Sequence, residues 1–418
     1  MKILWLSHLI PYPPTGGVLQ RSYNMVKEVA KHHELHLIAF VQKDLLLMNF
    51  DTVEQGIYEA EKHLGGFCKS ISFISIPCDN TPYGKHRLAA KSLFSKNTYT
   101  VNWLESAAMR ECLIDFSKEN DIDLVHYDTI SLAPYRDLFP DIPSCLDHHN
   151  IESHMMLRRA SNTNNLLLKA YYQLEGLKLQ RYEVNQCRKF TINITCSELD
   201  SERLTQLDPS FKPIVIENGV DLDFFSPSKK TAPRNKDGAL RFIFAGRLNA
   251  YTNKKAVQEL VHTIWPLIQK TFSDAILDIV GANPPADVLA ASSKNTSIKT
   301  HGFVEDVRPY IDNANIYLCP ITDGGGTKLK ILDALAMGKA LISTPIACEG
   351  IDVSNGENVL FASSPQDFLD QVDKIYNNPD MIEALGLSAR KLICDKYSYT
   401  SIGEKLSTLY QKHSKSST

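Results

Sequence analysis

Two stretches of the 418-residue chain combine backbone freedom with fixed positive charge. In DGGGTKLKILDALAMGK, residues 323–339, Gly324, Gly325 and Gly326 precede Thr327, Lys328 and Lys330. Three glycines let a backbone approach a ligand closely and aim several N–H groups at one point. The apolar periodicity that follows predicts a helix capped by Thr327 and ended by Gly338. Lysine is disfavoured at such a start, where unpaired N–H groups and the helix dipole repel a cation by roughly a few tenths of a kcal/mol. A phosphate would reverse that sign, since dipole, amides and Lys330 would all favour it. Asp333, three residues after Lys330, shares its face. The alternative is a tight strand-to-helix turn with solvated lysines.

In FAGRLNAYTNKKA, residues 244–256, Arg247 follows a strand, and Asn253, Lys254 and Lys255 open the next helix. Arginine and lysine converging from one loop can neutralise the charge that develops on a departing diphosphate. A solvated loop with a paired arginine is the other reading. A third glycine site, Gly16–Gly17 in PYPPTGGVLQR, lacks the third glycine of a dinucleotide fingerprint, and the first acidic residue after the second strand is Asp44. That argues against a nicotinamide cofactor and leaves the close approach of a diphosphate open. CLDHHNIES puts His148 and His149 at a strand end, with no third ligand spaced for a metal. The acidic pairs Asp121/Asp123 and Asp221/Asp223 imitate a metal-binding DxD but read as turn and cap residues, so no metal is assigned.

The elements that must position these residues come in two sets. KILWL, LHLIAF, ISFISI, DLVHYD, PSCLDHH and FTINITCS read as short apolar strands with helical segments between several of them, one of which runs from Ile151 to about Arg188. LRFIFAG, AILDIVG, IKTHGF, NIYLCPI and ALISTP repeat the pattern after the Pro-, Gly- and charge-rich stretch 215–238, which reads as a linker. Buried strands alternating with helices predict parallel sheets covered on both faces, hence two doubly wound α/β domains, residues 1–205 and 206–395, with a cleft between them. The last helical stretch sets Leu406 and Leu409 on one face, and the SKSST tail reads as disordered.

Composition sets the class of partner. A formal charge of −3 gives no basic field for nucleic acid. Nine cysteines without CxxC or metal spacing read as reduced thiols of a cytoplasmic protein, and MKILWLSHLI reads as a first strand and not a signal peptide. No apolar run reaches the roughly 18 residues of a membrane span. GKHRLAAKSLFSK, residues 84–96, mixes Lys85, Arg87, Lys91 and Lys96 with Leu88, Leu93 and Phe94, a pattern open to peripheral contact with anionic lipid or to a solvated helix face.

Taken in order, PYPPTGG, DHHNIES, NGVD, GFVEDVRPYI, GGGTKLKILDALAMGK and STPIACEGID resemble the family 4 (group 1) glycosyltransferases of the GT-B fold, in particular the bacterial exopolysaccharide type. The resemblance implies retaining transfer of a sugar from a nucleotide-diphosphate donor, UDP- or GDP-linked, to an acceptor hydroxyl, with no metal or other cofactor. It implies an N-terminal acceptor domain, a C-terminal donor domain, and a last helix, residues 396–413, that returns to the first domain. By the same likeness Arg247 and one of Lys254 and Lys255 neutralise the diphosphate, and Gly17, next to Gly16, approaches it. His149 touches the sugar, Phe303 and Val304 meet the base, and Asp333 holds the ribose beside Gly325, Gly326 and Thr327. Gly325 and Asp333 stand where that family usually has glutamates, and Asn253 where it has a lysine. These departures leave the donor sugar open and motivate a second reading, a subunit that only binds. A third, a nucleotide-sugar epimerase, would require carboxylates at the sugar ring.

Overall fold

The computed structural model describes residues 1–15, 17–228, 239–324 and 326–414. Gly16, Gly325, the linker segment 229–238 and the tail 415–418 lie outside the described residues.

In the first unit alternate residues of one strand serve two different cores. Ile3 and Trp5 of β1 (Lys2–Ser7) join one buried cluster, while Leu4 and Leu6 join another on the opposite face. The period of two and the uninterrupted apolar run Ile3–Leu6 explain why the strand is central. It lies in a parallel sheet with β2 (Glu34–Val41), β3 (Ser70–Ser75), β4 (Leu124–Tyr127), β5 (Ser144–His148), β6 (Ile192–Thr195) and β7 (Ile214–Val215). The order is β3-β2-β1-β4-β5-β6-β7. The second unit repeats the plan with β8 (Arg241–Ala245), β9 (Ile276–Val280), β10 (Ile298–Gly302), β11 (Ile316–Cys319), β12 (Ala340–Ser343) and β13 (Leu360–Phe361), ordered β10-β9-β8-β11-β12-β13. Strand order reverses between β1 and β4 in one unit and between β8 and β11 in the other. Loops leaving the carboxyl ends of those strands diverge, and a crevice is left there.

The units are Met1–Glu217 with Thr400–Thr418, and Asn218–Tyr399. The division therefore falls after Glu217 and not after residue 205, because the two-residue β7 pairs with β6 and holds residues 206–217 in the first unit. The expected linker is also shorter than its composition suggests. Val220 and Phe225 are buried in the second core, the Val220 amide donates to the Tyr397 carbonyl at 2.8 Å, and Asp221 Oδ1 accepts from the amides of Asp223 and Phe224. Asp221 and Asp223 thus sit in a turn.

Two other differences are local. The helical run expected from Ile151 to Arg188 is a hairpin, Glu152–Asn162 and Leu166–Cys187, broken where Asn165 caps the second helix by accepting from the amides of Leu167 and Leu168. The C-terminal helix Tyr399–His413 buries Ile402, Leu406 and Tyr410 in the first unit's core, and Leu409 packs beside them. Its approach to the helix Gly17–Ala30 requires Gly403, since a Cβ there would lie 2.3 Å from that of Glu28.

Candidate functional site

The crevice of the second unit collects most of the charged candidates. The chain leaves β8 through Gly246, at φ +147°, and enters the helix Tyr251–Glu259; it leaves β11 through the glycine loop and enters the helix Leu329–Ala336. One side chain joins the two loops. Asn253 is buried, its Nδ2 donates to the Arg247 carbonyl at 2.8 Å, and its Oδ1 accepts from Lys330 Nζ at 2.5 Å. Lys330 Nζ also lies 4.8 Å from the centre of the Phe244 ring, a cation–π contact. Gly246 makes room for this, because a Cβ there would fall 2.5 Å from the lysine nitrogen.

The lysines of the glycine loop divide the work. Lys328 is the N-cap residue of the helix, and its Nζ donates to the carbonyls of Gly324 and Gly326, each at 2.8 Å. It fastens the loop, which accounts for one of the two cations at an unfavourable helix start. Thr327 does not cap the helix; its hydroxyl is buried and has no partner among the described residues. Gly338, at φ +64°, ends the helix as its position implies. Burial pushes the Lys330 ammonium down to about 8 and the Asp333 carboxyl up to about 8, the latter resisted by the nearby lysine charge. Both groups are poorly solvated, so an anion arriving at Lys330 would favour the charged form of the lysine and the neutral form of the aspartate. Arg247, Lys254 and Lys255 are exposed, with no ion pair among the described residues. Phe303 stands 70% exposed after β10, while Val304 packs against the core.

The first unit has its own polar centre at its switch point. Asp128, directly after β4, is fully buried and gathers three donors, Ser7 Oγ at 2.8 Å, Ser22 Oγ at 3.0 Å and His149 Nε2 at 2.7 Å, with the His8 ring nitrogen Nδ1 3.4 Å away. Burial would lower the His149 imidazole and raise the Asp128 carboxyl, but each is overruled by the other's charge and hydrogen bond. His149 is therefore raised and Asp128 held well below its ordinary value. With Nε2 donating to Asp128, the second ring nitrogen of His149 is the one left to act. His148 instead turns inward, 3.3 Å from Asn193 Oδ1. Beneath the cluster Arg21 forms a bidentate buried pair with Asp147 and donates to the Glu217 carbonyl. His8, Asp128 and His149 place three ligand atoms within 4.8 Å of one another, a set able to hold a cation. Sequence reasoning passed over Asp128, His8 and Ser22. An aspartate ending the apolar run DLVHYD was the available sign, since strand ends at a switch point face ligand. Gly17 opens the first helix with nothing within 4 Å of a built Cβ.

Comparison with known proteins agrees with this geometry. Residues 239–378 match the family described as Glycosyl transferases group 1. A Klebsiella pneumoniae protein described as an uncharacterized 44.6 kDa protein in the cps region is 21% identical over 407 residues, covering 95% of this chain and 96% of that one. Among solved structures, Anabaena Alr3699/HepE in complex with UDP superposes with a TM-score of 0.68 at 14% identity, over 99% of this chain and 100% of that one; the same protein is also known with UDP-glucose. Sucrose-phosphate synthase from Thermosynechococcus elongatus gives 0.69 at 14% identity, over 99% of each chain. The fold is GT-B. The matched stretch contains both loops joined by Asn253 and Lys330, and over that stretch the chain is similar to the group 1 glycosyltransferases.

Proposed function

We propose that this protein is a retaining glycosyltransferase that moves a sugar from a nucleotide-diphosphate donor, UDP- or GDP-linked, to an acceptor hydroxyl in the synthesis of a bacterial surface polysaccharide, without a metal. The observation that carries the reading is the second unit's crevice, where a half-buried lysine is held by Asn253 beside the exposed Arg247, Lys254 and Lys255. In the reaction the bond between the anomeric carbon and the phosphate oxygen breaks, and the acceptor oxygen bonds to that carbon. The acceptor's proton leaves with the diphosphate, whose growing charge these cations stabilise. Asp333 is assigned to the ribose hydroxyls and His149 to a hydroxyl of the sugar. The UDP and UDP-glucose complexes of the Anabaena structure support the donor class, and the cps-region relative supports the polysaccharide setting.

The test has two steps. UDP or GDP at about a hundred times its dissociation constant should stabilise the protein by about 2.7 kcal/mol, read as a rise in melting temperature. Incubation with a panel of nucleotide sugars should then show slow release of the nucleotide diphosphate. Arg247→Ala and Lys330→Ala should each lower that release by about 100-fold or more with the melting temperature of the unliganded protein little changed. If no nucleotide raises the melting temperature, or either variant keeps full activity, the reading of the crevice fails.

A further inference from the structure

The Leu166–Cys187 helix exposes what a water-facing helix normally hides. Leu166 is 80% and Leu167 83% exposed, Leu168, Leu174 and Leu177 are also exposed, and Phe94 nearby is 94% exposed. Phe94 belongs to the same surface, because Lys178 Nζ donates to the carbonyls of Ser92 and Leu93 and Glu175 accepts from the Tyr99 amide. The charges around these side chains have one sign. Between residues 153 and 197 the only acidic residues are Glu175 and Glu183, and both are buried; residues 84–104 contain none. What faces outward is Arg159, Lys169 and Arg181, with Arg87, Lys91 and Lys96 beyond. Lys85, which the sequence grouped with that basic face, is instead neutralised by Asp44 and Asp79.

We infer that this face docks on an anionic lipid surface, with the leucines at the head of the second hairpin helix entering the acyl boundary and the arginines and lysines at headgroup level. Two features favour lipid over protein. Successive helical residues are 100° apart, so Leu166, Leu167 and Leu168 span about 200° of the helix circumference. A flat protein partner covers one side of such a turn, whereas fluid hydrocarbon surrounds it. A second copy of the same face would bring like charges together, which costs energy where an anionic surface would gain it. Among the described residues no helix is long and apolar enough to cross a membrane, so the contact is made from one side.

Flotation of the intact protein with vesicles separates the outcomes. Vesicles of phosphatidylcholine with 30% phosphatidylglycerol should carry the protein at least tenfold better than pure phosphatidylcholine, and less well as salt is raised. The triple variant Leu166→Ser, Leu167→Ser, Leu168→Ser and the charge variant Arg159→Glu, Lys169→Glu should each lose tenfold or more of that partition. Nucleotide-induced thermal stabilisation, unchanged in these variants, shows that they fold and keeps this result independent of the donor site. Equal partition of the triple variant and the native chain overturns the inference. So does a native dimer in gel filtration that the triple variant dissolves, since a second copy is then the occupant.

Discussion

The residue that most changes the chemistry of the first unit is Asp128, because it decides which nitrogen of His149 is left to act. Its pair with His149 also gives stability a defined pH window. The carboxyl is held below 3.8, so its contribution is complete above that value and is lost as pH falls through the depressed folded pKa. The imidazole is raised above 6.5, so its contribution is complete below that value and is lost as pH rises through the folded pKa. Thermal unfolding of the native chain should therefore be most favourable to the folded state between about pH 4 and 6.5 as far as this pair is concerned. Asp128→Asn should flatten the alkaline side of that profile and cost about 3–5 kcal/mol, as expected when a buried ionic partner is removed. In the second unit, nucleotide binding should move protons. A diphosphate favours the charged form of Lys330, which burial holds near 8, so at pH 8.5 binding draws in a proton. Ribose hydroxyls favour the charged form of Asp333 and release one. Calorimetry in buffers of different ionisation enthalpy should show net uptake in Asp333→Asn and net release in Lys330→Met.

At the scale of elements, the crevice of the second unit depends on glycines where strands hand over to helices. Gly281, at φ +148°, packs so tightly that a Cβ would lie 1.7 Å from the Gly246 carbonyl oxygen. Gly281→Ala should destabilise the second unit by at least about 3 kcal/mol, combining backbone strain with a clash against main chain that has no rotamer to escape to. Gly246→Ala meets the flexible end of Lys330 instead. Gly246 sits at φ +147°, so the variant carries the same backbone strain of roughly 1–3 kcal/mol but no main-chain clash; its fold should survive, while nucleotide stabilisation falls because the lysine is displaced, and an unchanged thermal shift with UDP would contradict this. These loops were legible in outline, since GRLN and DGGGTK follow apolar runs. Their joining was not: Asn253 reads as a missing lysine in the sequence, and only the reversal of strand order between β8 and β11 brings it to Lys330.

At the scale of the whole molecule, the chain passes from the first unit to the second after Glu217 and returns after Tyr399. The returning helix completes the first core, with Tyr410 buried and its hydroxyl 2.7 Å from His126 Nδ1. Two units with separate cores need not unfold in one step. Tyr410→Ala should lower the transition of the first unit by about 3–5 kcal/mol, through lost burial and an unfilled space, with the transition of the second unit unmoved. Calorimetry with and without nucleotide identifies the two, because only the unit that binds it shifts.

The sequence by itself determined the two sheets, the parallel order of apolar strands and the cationic glycine loops, because strand burial and backbone freedom are local properties of residue type. It did not carry the two-residue strands β7 and β13, which are too short to show a period and exist only because a neighbouring strand offers free carbonyls and amides. Nor could it divide the cations by task. Tertiary structure decided that Lys328 ties its own loop, that Lys330 is held by Asn253, and that Asp128 sets the state of His149. Each of these depends on which residues distant in the chain meet at a strand end, and burial there sets the charge each one keeps.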